Sequence, residues 1–177
     1  MILKLKRTPG IFLVGFMGSG KSTIGRALAD ELGWGFCDLD EEIERREGTT
    51  ISHIFETRGE PVFREIESAA LKERVRSVER GQPQVIALGG GAFSSDANFE
   101  LVSNHGVPIW IDCSMATIER RVGVETHRPL ARDLESMRAL FEVRRPSYAR
   151  ADYRIECDTD DPQTVVAKIL ALPLFKP

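Results

Sequence analysis

Short apolar runs alternate with amphipathic stretches along most of the chain, and the two periods separate strands from helices. Residues 11–14, 34–38, 85–88, 107–111 and 153–157 are compact apolar segments of strand length. The run at 85–88, Val-Ile-Ala-Leu, has no polar alternation, which is the pattern of a strand buried on both faces. Residues 21–32, 41–47, 49–58, 62–80, 96–104, 134–148 and 162–172 read as helices, and another begins over 115–121. Gly59-Glu60-Pro61 breaks the chain ahead of the longest helix and leaves Pro61 near its first turn, where a missing N–H costs nothing. Five strand candidates alternating with helices predict a parallel sheet covered on both faces, an α/β domain of three-layer α/β/α type. Two stretches, about 39–80 and about 122–133, fall outside the simple alternation and are expected to stand above the carboxyl edge of the sheet. No internal repeat or low-complexity segment interrupts the pattern.

Composition narrows the class without naming it. The 177 residues suit a single domain over 1–177, with 42% hydrophobic and 29% charged residues. A net charge of −3 argues against nucleic acid or an anionic membrane as a general partner. Cys37, Cys113 and Cys157 are far apart, form no C-x-x-C pair and make an odd total, so they read as small core residues rather than a disulfide framework or a zinc site. A reducing, cytoplasmic setting is expected, with no signal peptide and no apolar stretch of membrane-spanning length.

The chemistry is concentrated in Gly15-Phe-Met-Gly-Ser-Gly-Lys-Ser22, which fits G-x-x-x-x-G-K-[ST] between an apolar run and an amphipathic segment. Glycines at 15, 18 and 20 let the backbone curl with its N–H groups inward, and the helix that follows adds the partial positive charge of its N-terminus. The result is a phosphate cradle. Lys21 offers a point charge to β- and γ-phosphates, and the Ser22 hydroxyl is placed to ligate Mg²⁺ beside them.

Other residues gain meaning from that loop. Asp38 and Asp40 are two apart, so in an extended conformation both face the same way at the end of the second strand, although Asp40 could equally cap the next helix. Arg64 and Glu67, three apart on the long helix, are neighbours on one face. Gly89-Gly90-Gly91 ends the third strand where many phosphate-loop proteins carry a magnesium-binding Asp, so the carboxylate beside the metal must come from elsewhere, and Asp38 is the candidate. The basic stretch 122–133, with Arg128 and Arg132, is expected to close as a lid over phosphates.

Together these residues resemble the shikimate kinase family over nearly the whole chain. The phosphate loop, Asp38-x-Asp40, Phe63-Arg64-x-x-Glu67, Gly89-Gly90-Gly91, Arg128-Pro129-Leu130 and Arg144-x-Pro146-x-Tyr148 stand in that family's order and at similar spacings. The resemblance implies the P-loop kinase fold with a helical acceptor-binding insert and a lid. It also implies transfer of the γ-phosphoryl of ATP to the 3-hydroxyl of shikimate, on the route to chorismate and the aromatic amino acids. On this basis Gly18, Ser19, Gly20, Lys21, Ser22 and Thr23 hold the nucleotide phosphates, with Arg121 and the lid's Arg128 above them. Ser22, and Asp38 through water, serve Mg²⁺. Asp40, Arg64, Gly89, Gly90, Gly91 and Arg144 bind shikimate, and Lys21, Asp40 and Arg128 carry the catalysis. A monomer is expected.

Two features depart from the family pattern: Ser147 replaces a common leucine, and Arg145 places a second arginine beside Arg144, so the choice between them rests on spacing to Pro146 and Tyr148. The turn at 158–162 matches only loosely. The residue chemistry agrees independently, since a cyclic hydroxy acid needs a guanidinium fork, from Arg64 or Arg144, and a carboxylate acceptor such as Asp40. Rival readings are a gluconokinase, a nucleoside monophosphate kinase, and a non-catalytic ligand-sensing domain on the same fold.

Overall fold

The computed structural model describes residues 10–125 and 131–176. Five parallel strands lie in the order β2-β3-β1-β4-β5: β1 (Gly10–Val14), β2 (Gly35–Asp38), β3 (Gln84–Ala87), β4 (Val107–Asp112) and β5 (Tyr153–Glu156). Every residue of β1, β3 and β4 is buried, because these central strands are covered on both faces. The register sets Leu13 beside Ala87 and Ile109, so all three inner strands deliver their carboxyl ends to one edge.

Helices α1 (Lys21–Leu32), α2 (Leu39–Glu47), α3 (Ile51–Arg58), α4 (Glu60–Glu79), α5 (Asp96–His105), α6 (Met115–Glu125), α7 (Ala131–Tyr148) and α8 (Pro162–Leu170) complete the three layers. Helix α4 shows why the sequence pattern worked. Its buried positions Phe63, Glu67, Ala70, Leu71, Val75 and Val78 recur every three to four residues, Pro61 lies in its first turn, and Gly59 precedes it with φ +82°. Among the described residues, no helix is long and apolar enough to cross a membrane.

Several boundaries differ from expectation for local reasons. The short helix starts at Ile51 rather than 49, because the Thr50 side chain accepts from His53 N and caps it. Strand β2 excludes Trp34, whose N–H bonds back to Ala29 O as the chain leaves α1. The loop expected over about 122–133 is helical at both ends, since α6 runs to Glu125 and α7 begins at Ala131. Arg128, Pro129 and Leu130 lie outside the described residues.

Candidate active site

The phosphate loop links β1 to α1. Gly18 and Gly20 take φ +75° and +90°, and Gly20 sits at the N-cap of α1 with no side chain capping the helix. The N–H groups of that first turn are therefore left for an anion. Lys21 folds back over the loop, its Nζ donating to Gly15 O at 2.7 Å and Phe16 O at 2.9 Å. Burial lowers Lys21 to about 8, against the opposing pull of Asp40 and Asp38.

Asp38 and Asp40 both line the cavity of about 270 Å³ beside Lys21 and Ser22, but not by strand alternation. Strand β2 stops at Asp38, which caps α2 by accepting from Glu41 N at 3.1 Å, and Asp40 occupies the first turn of α2. The strand argument for a shared face is thus corrected: the turn of the helix returns Asp40 to the cavity. Ser22 Oγ donates to Asp38 Oδ2. Asp40 Oδ1 is buried and has no hydrogen-bond partner among the described residues. Burial, and then the neighbouring Asp38 and Glu67 carboxylates, raise Asp40 to about 6 despite the opposing Lys21.

The three glycines after β3 are explained by what packs against them. A Cβ on Gly89 would stand 2.6 Å from Asp40 Oδ1, one on Gly90 2.9 Å from Arg144 Nη1, and one on Gly91 2.5 Å from Arg64 Nη2. None of the three has positive φ. Their glycine character is spatial: each leaves room for a different charged group, which brings a carboxylate and two guanidinium groups against one loop. Arg64 Nη1 is held by Glu67 Oε1 at 2.8 Å, and Glu67 is only 1% exposed. Tyr148, equally buried, donates its hydroxyl to Gly90 O at 2.5 Å, and both it and Arg144 pack against Gly90.

The structure separates the two adjacent arginines. Arg145 Nη1 pairs with the buried Asp112 at 3.1 Å and stacks 5.0 Å from the Trp110 ring centroid and 5.2 Å from that of Phe141. Arg144, one position earlier on α7, reaches the glycine loop instead.

A second cavity, of about 260 Å³, lies across the loop and shares Gly18, Gly20 and Thr23 with the first. Its far wall is the turn at 158–162. Arg121 ties that turn to the loop, donating to Gly18 O at 3.0 Å, Thr159 O at 2.7 Å and Asp160 Oδ1 at 3.1 Å. Asp158 accepts from Ser114 N and Thr117 Oγ1, each at 3.0 Å. Neither this turn's partners nor the Tyr148 hydroxyl was found from sequence. The contacts join residues up to 103 positions apart, and no local period signals them.

Among the described residues, no cluster of three His, Cys, Asp or Glu could hold a metal. The contact of Ser22 Oγ with Asp38 is a smaller, all-oxygen set. It fits Mg²⁺, which keeps several waters and takes one or two protein oxygens beside substrate phosphates.

A phosphate loop at the head of a parallel sheet, facing a carboxylate and paired guanidinium groups, defines a nucleotide-dependent phosphotransferase of the P-loop type. The family model "Shikimate kinase" matches residues 17–172, and the chain belongs to the shikimate kinase family. It is 38% identical over 161 residues to a shikimate kinase of Persephonella marina, covering 90% of this chain and 96% of that protein. The solved shikimate kinase of Acinetobacter baumannii in complex with shikimate superposes with a TM-score of 0.83 at 36% identity, covering 94% of each chain. A gluconokinase of Sinorhizobium meliloti shares the fold, with a TM-score of 0.60 at 17% identity over 93% of this chain and 91% of that one.

Proposed function

We propose that this chain transfers the γ-phosphoryl of ATP to the 3-hydroxyl of shikimate, giving 3-phosphoshikimate and ADP on the route to chorismate. The observation that carries the reading is the packing of Asp40, Arg144 and Arg64 against Gly89, Gly90 and Gly91 in turn, beside Lys21. Two guanidinium groups suit a carboxylate and a carboxylate suits hydroxyls, which is the chemistry of a cyclic hydroxy acid.

In this reading the uncapped N-terminus of α1 and the backbone of Gly18 to Thr23 hold the phosphates, and Lys21 leaves its loop carbonyls to meet them. Mg²⁺, bound to Ser22 and through water to Asp38, supplies positive charge that offsets the phosphates. Arg64, fixed by buried Glu67, and Arg144 orient the acceptor. Asp40 orients the attacking hydroxyl and takes its proton, a role its raised pKa and orphaned Oδ1 support. Arg121 steadies the nucleotide-side wall, and Arg128 is assigned to the lid from sequence alone. The proposal extends to one kinase domain over 1–177, acting as a cytoplasmic monomer; three free, buried thiols accord with a reducing compartment.

The test is ADP release from Mg²⁺-ATP with shikimate, gluconate, a nucleoside monophosphate or no acceptor in parallel. Release with shikimate alone is expected. Release with gluconate alone would move the assignment to the sugar-acid kinases, and ATP binding without turnover on any acceptor would move it to a sensing domain.

A further inference from the structure

Two of the three cysteines that sequence keeps far apart are neighbours in the sheet. Asp112 of β4 lies opposite Glu156 of β5, so Cys113 and Cys157 leave the two parallel strands side by side, with Cys157 N donating to Asp112 O at 2.9 Å. Both thiols are free and buried. Parallel strands run about 4.8 Å apart, within the range of Cα separations that a disulfide spans.

These thiols also touch the site. Cys157 lines the nucleotide-side cavity with Thr159 and Asp160. Cys113 Sγ stands 3.4 Å from Ser19 O of the phosphate loop. Arg121 Nη1 lies 3.5 Å from Cys113 Sγ while holding Gly18 O. The neighbouring Cys113 and then the Arg121 guanidinium draw Cys157 down, while Cys113 itself is pushed up. Two carboxylates lie near this cluster: Asp160 pairs with Arg120 and with the same Arg121, and Asp158 accepts from Ser114 and Thr117.

We infer that Cys113 and Cys157 form a peroxide-sensitive thiol pair in the wall of the nucleotide cavity, whose disulfide weakens ATP binding. The Cys157 thiolate attacks one oxygen of hydrogen peroxide, the O–O bond breaks, and a sulfenic acid forms with release of water after protonation. Cys113 sulfur then attacks the sulfenic sulfur, the S–S bond forms, and a second water leaves carrying the thiol proton. Both thiols are oxidised and one peroxide is reduced. Bridging turns Cys113 Sγ away from Ser19 O and removes the thiolate beside Arg121, so the guanidinium that holds the phosphate loop is reset. Affinity for ATP is expected to fall by about tenfold, the scale of one or two lost hydrogen bonds.

The test treats the purified chain with hydrogen peroxide and reads intact mass, free thiols, peptide linkage and ATP affinity, none of which depends on phosphotransfer. Loss of two hydrogens and two thiols is expected, in a Cys113–Cys157 linked peptide reversed by dithiothreitol. Bound ATP should slow it, and Cys37→Ser should leave it unchanged. In Cys113→Ser, dimedone should trap a sulfenic acid at Cys157. If that variant does not fold, the wild-type peptide map still decides. A bridge to Cys37, oxidation without a bridge, no reaction, or a bridged chain that binds ATP as tightly as the reduced one would overturn the inference.

Discussion

The Arg64 guanidinium occupies the space where any side chain at position 91 would begin: a Cβ on Gly91 would come within 2.5 Å of Arg64 Nη2. The same relation joins Gly89 to Asp40. Since neither glycine has positive φ, alanine is conformationally acceptable at both and the displaced atoms are the far ends of side chains. Gly91→Ala is expected to fold and to lower kcat/KM for shikimate by about a hundredfold, the scale of an ångström-size misplacement, chiefly through KM. Steady-state kinetics beside a thermal melt checks this, and an unchanged KM would remove Arg64 from the acceptor site.

Asp40→Asn should keep nucleotide affinity nearly intact while sharply lowering turnover. For the native chain, kcat/KM for shikimate should rise with pH through about 6 as Asp40 loses its proton. Stability moves the other way. A carboxyl whose folded pKa is raised favours the fold below its unfolded pKa and loses that contribution as pH rises through about 6. Nucleotide-free Asp40→Asn should therefore be more stable at neutral pH, by about 1–3 kcal/mol, and lose that advantage near pH 4. A melting series across pH reads the sign.

Arginines 144 and 145 should separate cleanly. Arg144→Lys is expected to raise KM for shikimate, because an ammonium cannot reproduce a planar fork. Arg145→Lys should instead lower Tm with little change in KM, since Arg145 pairs with Asp112 and stacks on Trp110 and Phe141. Equal effects of both on KM would show that the spacing to Pro146 and Tyr148 does not distinguish them.

Tyr148→Phe removes the hydroxyl that holds Gly90 O at 2.5 Å. Leaving that carbonyl without its partner costs about 1–3 kcal/mol, and the glycine loop loosens where Asp40, Arg144 and Arg64 meet. The expected signature is a higher KM for shikimate with the ATP KM preserved. A purely structural role would lower Tm and leave both constants alone.

Much of this fold was legible because its signals are local. Buried strands are short apolar runs, α4 carries its stripe at helical spacing, and Gly18, Gly20 and Lys21 form one continuous turn. Where a competing local interaction won, the boundaries moved: the Thr50 cap shifted α3, and α6 and α7 extended into the expected loop. Asp38 and Asp40 reach one cavity, but by a strand-to-helix turn that two-residue alternation does not describe.

The amino-acid sequence alone determined the phosphate loop, the parallel α/β plan and the family, because each rests on residues close in the chain or on an ordered set of motifs. Only the tertiary structure decided which arginine meets the glycine loop, which glycine yields to which charge, and that Cys113 and Cys157 stand together beside Arg121. Those relations depend on sheet register and on helices packed across it. They join positions tens of residues apart, where periodicity along the chain carries no distance information.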